Sequence, residues 1–223
     1  GADALIADAE GYTAQLRAHF PCTPLILLGH SMGGGIALAA APKADVDALI
    51  LSAHQLGSTL CTRSELERLR ALLSPISDDI RIVAHLDDPA RLLIRRYGAQ
   101  LLEGRNRDLG LELGCLEAKS FWEAALATRP ACDPMAGQFG EVQGACFWLD
   151  YARLQHEWEA VFGAGAVDFR SLDADVLYSE AATEEVRAAF GIAPTIGKAE
   201  PADQPGDPSA AWLARMRLFN DTV

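Results

Sequence analysis

The sequence has 223 residues, of which 50% are hydrophobic and 22% are charged, and its formal net charge at pH 7 is −12. The apolar fraction excludes an intrinsically disordered chain, and the length is that of one domain. Because nucleic acid and anionic lipid both attract basic surfaces, the acidic charge argues against a general affinity for either.

Five cysteines are scattered along the chain without a C-x-x-C pair. They have neither a zinc-ligand spacing nor the density of a small secreted domain, so we expect reduced thiols, a cytoplasmic protein and no metal. No apolar run reaches the roughly 18 residues that a membrane span needs. Because the sequence begins at Gly1 without an initiator methionine, we expect a trimmed N-terminus.

The first third of the chain alternates between helical and strand patterns. Apolar periodicity predicts a helix over about 4–20, and the continuous apolar run at 25–28 predicts a strand buried on both faces. A glycine-rich turn at 29–35 leads into a short alanine-rich helix, and a second buried strand is predicted at 46–52.

The remainder continues this alternation, with an interruption. A capping box begins a helix at Thr62. We then predict a strand at 80–85, helices at 90–102 and 149–162, a strand at 166–171, and helices at 184–190 and 209–218. Residues 104–148 are predicted as an irregular insert with one helix near 119–128, and residues 195–208 as a surface loop. The alternation predicts a single α/β domain over 1–223, with a mostly parallel sheet, helices on both faces and three layers.

The motif with the clearest chemistry is Gly29-His30-Ser31-Met32-Gly33, a G-x-S-x-G directly after a strand and directly before a helix. This context is typical of a nucleophile elbow, in which a strained serine is exposed above the sheet edge. We predict that Ser31 is a nucleophile and that the Met32 backbone N–H is an oxyanion donor. The alternative is a glycine-rich strand–helix turn that only packs tightly.

Residues 12–56, YTAQLRAHFPCTPLILLGHSMGGGIALAAAPKADVDALILSAHQL, resemble the α/β-hydrolase superfamily, and most of all its monoacylglycerol lipase and lysophospholipase-like serine hydrolases. We therefore assign residues 1–58 as a hydrolase-like segment. The resemblance implies that the serine is acylated by a small-molecule or lipid-like ester, that a histidine takes its proton, and that a carboxylate orients the histidine, without a cofactor.

The carboxylate of that triad is predicted near the end of the third strand. The segment Ile80-Arg-Ile-Val-Ala-His-Leu-Asp-Asp-Pro89 resembles the acid-bearing segment of the family, with Leu86 where glycine is usual. Asp88 is the better candidate and Asp87 the second. The alternative is an Asp-Asp-Pro sequence that only begins the next helix.

The histidine is predicted by chain order alone. The family places it late, and His156 is the one histidine after Asp88, whereas His30 is the usual neighbour of the nucleophile. His156 has helical spacing with Leu154 and Trp158, so the alternative is a partly exposed helix histidine. The upstream strand that normally carries a second oxyanion donor is missing from the sequence.

A second resemblance covers residues of about 48–223, which are similar to bacterial sulfotransferase-like proteins of the P-loop class. It rests on loose patterns, among them TRSELERLRALLSPISDDIRIVAHLDDPARLLIRRYGAQLLEGR and DYARLQHEWEAVFGAGAVDFRSLDADVLY. The positions that hold phosphate in that family read Asp87 and Arg95 here, and Met32 stands where the loop lysine would be. The alternative function is therefore a degenerate domain with a non-catalytic binding role. Four arginines near helix 90–102 form either an anion site or a solvated basic face, namely Arg91, Arg95, Arg96 and Arg105.

Overall fold

A computed structural model describes residues 2–136, 138–193 and 197–222. The chain divides into two compact units, Gly1–Ile80 and Arg81–Val223. This division is one of contacts within the chain and not of independent folding, so the single domain over 1–223 stays a prediction. Across the described residues, no helix has the length and apolar character needed to cross a membrane.

The first unit combines four helices with a two-stranded parallel sheet. Its elements are α1 (Ala2–His19), β1 (Ile26–His30), α2 (Met32–Ala40), β2 (Ala48–Ser52), α3 (His54–Thr59) and α4 (Arg63–Leu73). The strands pair in a register that places Leu28 beside Ile50 and His30 beside Ser52. Helix α2 packs on both strands, and α1 packs on α2.

Small residues bring α2 close to β1. A Cβ at Gly29 would lie 2.6 Å from the carbonyl oxygen of Gly33 and 2.7 Å from the Cβ of Ala37, so only glycine fits there. Ala37 and Ala40 are buried on the helix face that meets the sheet. The glycine-rich sequence thus fixes the distance between the strand and the helix on either side of Ser31.

Strand β1 differs from the prediction of a strand buried on both faces. Gly29 is buried and Leu27 half-buried, whereas Ile26 is 38% and Leu28 63% exposed. Alternate residues of a strand point to opposite faces, and α2 packs against the face that carries Gly29. A continuous apolar run therefore forms a strand with one apolar face open.

Arg17 ties α1 to the starts of both strands. Its guanidinium donates to the carbonyl oxygens of Thr23 and Asp45 and to Asp47 Oδ2, at 2.7 Å for the last. Asp47 Oδ2 also accepts from the Leu25 backbone N–H. The hydrogen bond from Arg17 is the main reason that the pKa of Asp47 is lowered. This cluster orients the strands that carry the candidate site.

The second unit has a two-stranded parallel sheet of β3 (Ile82–Leu86) and β4 (Val167–Ser171), with His85 beside Arg170. Its helices are α5 (Pro89–Leu102), α6 (Gly110–Leu116), α7 (Phe121–Ala127), α8 (Gly140–Gln143), α9 (Tyr151–Phe162), α10 (Ala174–Leu177), α11 (Ala182–Phe190) and α12 (Ala210–Asn220). Residues 197–208 form neither helix nor strand, and positions 195 and 196 of the predicted loop lie outside the described residues.

The region 104–148 is more regular than predicted, because it contains α6, α7 and α8. Arg105 anchors it, with no exposed surface, and its guanidinium donates to both oxygens of Glu112, to Gln100 Oε1 and to the Asp108 carbonyl. The expectation that Arg105 belongs to an exposed basic face is therefore wrong. A buried guanidinium is tolerated because these partners satisfy its donors.

The strands and helices are those of an α/β protein, and both described sheets are parallel. Each of these sheets has two strands, which is smaller than the sheet the sequence predicted. The predicted three-layer sandwich is not confirmed.

Candidate functional site

Ser31 has the strained backbone that the motif predicts. It lies between the end of β1 and the start of α2 with φ 52° and ψ −123°, and it is the one non-glycine residue of the described chain with a positive φ. Such a conformation costs a residue with a side chain on the order of 1–3 kcal/mol and persists only where the surroundings impose it. The strain at the predicted elbow is thus confirmed.

Two hydrogen bonds hold this conformation. The Ser31 N–H donates to the Ser52 carbonyl oxygen at 2.8 Å, and the Ser31 carbonyl accepts from the Gly34 N–H at 2.9 Å. One bond ties the residue to β2 and the other to the first turn of α2. The residue is exposed, and its side chain does not cap the helix.

The Met32 backbone N–H is the first of helix α2. An N–H in the first turn of a helix has no acceptor within the helix and carries partial positive charge from the helix dipole. The Met32 side chain is 79% exposed, so it leaves this end of the helix open to solvent. An oxygen that gains negative charge beside Ser31 would find a donor here.

His30 and Ser52 form a pair beside Ser31 that the sequence reasoning missed. His30 Nδ1 lies 3.1 Å from Ser52 Oγ, and both residues are exposed. The signal was the serine at the end of the second predicted strand, since parallel neighbours end at the same sheet edge. The strand register that pairs these two residues was not readable from the sequence.

Asp88 lies in the second unit, at the N-terminus of α5. Its Oδ1 accepts from the backbone N–H groups of Ala90 and Arg91, at 3.0 and 3.1 Å. These are the contacts of a helix cap, as in the alternative interpretation. The role of an orienting acid remains a prediction.

Asp87, the second candidate, has a buried side chain that lies near two arginines. Its side chain is 6% exposed and lies 3.5 Å from Arg91 and 3.6 Å from Arg95. Arg95 also pairs with Asp207. Asp87 and Asp207 thus pair with Arg91 and Arg95, two of the four arginines that the sequence offered as an anion site.

His156 is exposed on α9, while Leu154 and Trp158 of the same helix are buried. Among the described residues of the second unit, no hydrogen bond joins it to Asp88. The structure thus places Ser31 and Met32 together in the first unit, and it places Asp88 and His156 in the second, where no hydrogen bond between described residues joins them. His156 as the base stays a prediction.

A charged cluster in the second unit was also missed. His85 Nε2 lies 3.0 Å from Glu185 Oε1, and Arg170 donates to both oxygens of Glu185 and to Asp168. The hydrogen bonds from Arg170 and then from His85 lower the pKa of Glu185 to about 2. A pocket of about 360 Å³ borders this cluster, with Phe169, Val176 and Leu177 in its lining. One hundred residues separate His85 from Glu185, so no local pattern could have paired them.

None of the described residues forms a group of three or more His, Cys, Asp or Glu side chains suited to a metal ion. Burial raises the pKa of the Cys146 thiol to about 12, which keeps that cysteine protonated and unreactive at neutral pH.

Residues 1–100 match a family model described as serine aminopeptidase, S33. The match supports the α/β-hydrolase resemblance, and it reaches beyond the predicted segment 1–58 to include β3 and Asp88. No curated protein and no solved structure was found to match the chain. These comparisons support neither the lysophospholipase-like subgroup nor the sulfotransferase-like resemblance.

Proposed function

We propose that this protein is a serine hydrolase that cleaves a carboxylic ester through an acyl-enzyme, with Ser31 as the nucleophile. The observation that carries the proposal is the positive φ of Ser31 at a strand–helix junction. Backbone strain of this kind clusters at functional sites, and glycine at this position would remove it. The family match over residues 1–100 supports a hydrolase of the α/β-hydrolase type.

In this mechanism, Ser31 Oγ attacks the ester carbonyl carbon and its proton passes to a base. The Met32 N–H donates to the oxyanion of the tetrahedral intermediate, which then expels the alcohol and leaves an acyl-serine. Water attacks the acyl group and releases the acid. Asp88 and His156 are the proposed acid and base.

We expect slow turnover. Among the described residues of the first unit, no base forms a hydrogen bond to Ser31 Oγ, and general base catalysis typically contributes about 10²- to 10⁴-fold. The oxyanion donor and the exposed serine are the parts of the site that the geometry supports. Activated esters, whose leaving groups need no proton, should therefore react better than amides.

The test compares wild type with Ser31→Ala on p-nitrophenyl acetate and on a fluorophosphonate probe. Ser74→Ala is the matched control, because Ser74 is an exposed serine of the same unit whose hydroxyl bonds a helix carbonyl. Wild type and Ser74→Ala should hydrolyse the ester and take the probe at residue 31, and Ser31→Ala should lose that label. Unchanged labelling of the tryptic peptide 18–43 in Ser31→Ala would contradict the proposal.

An aminoacyl p-nitroanilide belongs in the same assay, because the matching family is described as a serine aminopeptidase. We expect hydrolysis of the ester to exceed that of the anilide, since the amine leaving group must be protonated by a general acid. A faster reaction of the anilide, lost in Ser31→Ala, would keep Ser31 as the nucleophile and replace the ester as the substrate.

A further inference from the structure

The sheet edge that carries Ser31 holds a second serine, and that serine has what Ser31 lacks among the described residues of the first unit, a hydrogen-bonded imidazole. Ser52 Oγ lies 3.1 Å from His30 Nδ1. Both side chains are exposed, so a solute can reach them without any opening of the fold. Neither residue has a role in the mechanism proposed above.

We propose that Ser52 and His30 form a second acylation site, with Ser52 as nucleophile and His30 as its general base. The substrate class is a small activated acyl ester. A serine hydroxyl within hydrogen-bond reach of an imidazole is the arrangement that activates a weak nucleophile. The pair does not require Ser31 to react.

The backbone supports this pair from both sides. His30 and Ser52 are direct neighbours in the parallel register, which places their side chains on the same face of the sheet. The Ser52 carbonyl also accepts the Ser31 N–H at 2.8 Å, so the end of β2 is bonded to the strained turn. The hydroxyl–imidazole distance is thus set by two strands and not by a flexible loop.

The reaction is balanced with water as the only co-substrate. With the ring proton on Nε2, His30 Nδ1 accepts the Ser52 hydroxyl proton as Oγ forms a bond to the carbonyl carbon. The intermediate collapses, the bond to the leaving oxygen breaks, and that oxygen takes the proton from Nδ1. Water then attacks the acyl-serine, gives its proton to Nδ1, and the proton returns to Ser52 Oγ as the acid leaves.

Trypsin separates the two candidate serines, which makes the test direct. Cleavage after Arg17, Lys43 and Arg63 places Ser31 on peptide 18–43 and Ser52 on peptide 44–63. The protein is treated with a fluorophosphonate probe, digested, and the labelled residue is identified by fragmentation in the mass spectrometer. Circular dichroism confirms that each variant is folded.

We expect a label on peptide 44–63 at Ser52, absent in Ser52→Ala. The labelling rate should fall about 100-fold or more in His30→Gln, since general bases contribute about 10²- to 10⁴-fold. Free imidazole should restore labelling in His30→Ala, which a merely structural role of His30 would not allow. His19→Gln is the control, because His19 is an exposed histidine of the same unit bonded to a helix carbonyl.

The outcomes separate this site from the Ser31 site. A label on peptide 18–43 alone, or a label at Ser52 that survives His30→Gln unchanged, would overturn the second site. A label on peptide 44–63 alone that depends on His30 supports the second site and counts against Ser31. An absence of label on both peptides overturns both.

Discussion

Replacing Ser31 by glycine should stabilise the first unit, although it removes the proposed nucleophile. Glycine adopts a φ of 52° without a steric cost, whereas serine in this conformation pays on the order of 1–3 kcal/mol. Glycine in turn loses about 0.5–1 kcal/mol more chain entropy on folding. The middle of these ranges gives a net gain of about 1 kcal/mol, within roughly a factor of two, because the Ser31 side chain makes no helix-cap bond that would be lost.

The comparison must isolate the strain from the lost hydroxyl. Ser31→Ala keeps a Cβ and therefore keeps the strain, so the difference between Ser31→Gly and Ser31→Ala measures it. Ser74→Gly is the control for glycine entropy, because Ser74 has an ordinary φ of −56°, and it should destabilise by about 0.5–1 kcal/mol.

The readout must report on the first unit. The four tryptophans, at 122, 148, 158 and 212, all lie in the second unit, so tryptophan fluorescence does not follow the elbow. Hydrogen exchange of the β1 and α2 backbone amides does report on this unit. The protection factors of these amides in Ser31→Gly should exceed those in Ser31→Ala by roughly 2- to 30-fold. Equal or lower protection in Ser31→Gly would refute the argument that Ser31 stores strain.

Three further predictions concern the second unit. Asp88→Asn should keep the stability of wild type, because asparagine caps helices as well as aspartate does. Asp88→Ala should lose about 1 kcal/mol of unfolding free energy, measured in urea. Loss of esterase activity in Asp88→Asn would identify a catalytic carboxylate. Arg105→Ala should lower the free energy of unfolding by about 3–5 kcal/mol, because it leaves Glu112 buried and unpaired. Tryptophan fluorescence in urea measures this change, and a loss below about 1 kcal/mol would contradict the buried pair. The pKa of Glu185 is lowered by Arg170 to about 2, so its stabilising effect is complete above the ordinary value of 4.5 and is lost as the pH falls from there through 2. Thermal unfolding between pH 5 and 2 should show this loss in wild type and a smaller one in Glu185→Gln, and identical pH profiles would contradict it.

The strained strand–helix turn at Ser31 could be predicted because every part of it is local in the chain. The strand, the glycine and the helix that surround Ser31 are consecutive, and the steric requirement at Gly29 arises from Gly33 and Ala37 within eight residues. The capping box at Thr62 was predictable for the same reason, and it is present with both of its hydrogen bonds. Helix caps and turns that depend on residues a few positions away can be predicted from a sequence.

Burial could not be predicted in the same way. The apolar run of β1 is compatible with a strand covered on either face or on both, and the sequence carries no information on how many elements pack against it. The helix α2 covers one face, and Leu28 on the other is 63% exposed. Likewise, the sequence did not show that Arg105 and Glu112 are buried, although the two residues are only seven positions apart, because burial depends on the elements that pack over them.

By itself, the sequence determined the α/β character, the strand–turn–helix around Ser31 and the strained backbone of that residue. Only the tertiary structure decided which polar groups meet. Strand register brought His30 to Ser52 across 22 residues, and parallel pairing of β3 with β4 together with helix α11 brought Glu185 to His85 across 100. Backbone conformation depends on residues that are close in the chain. The pairing of distant side chains depends instead on which elements pack together, and that is decided by the packing of the whole unit.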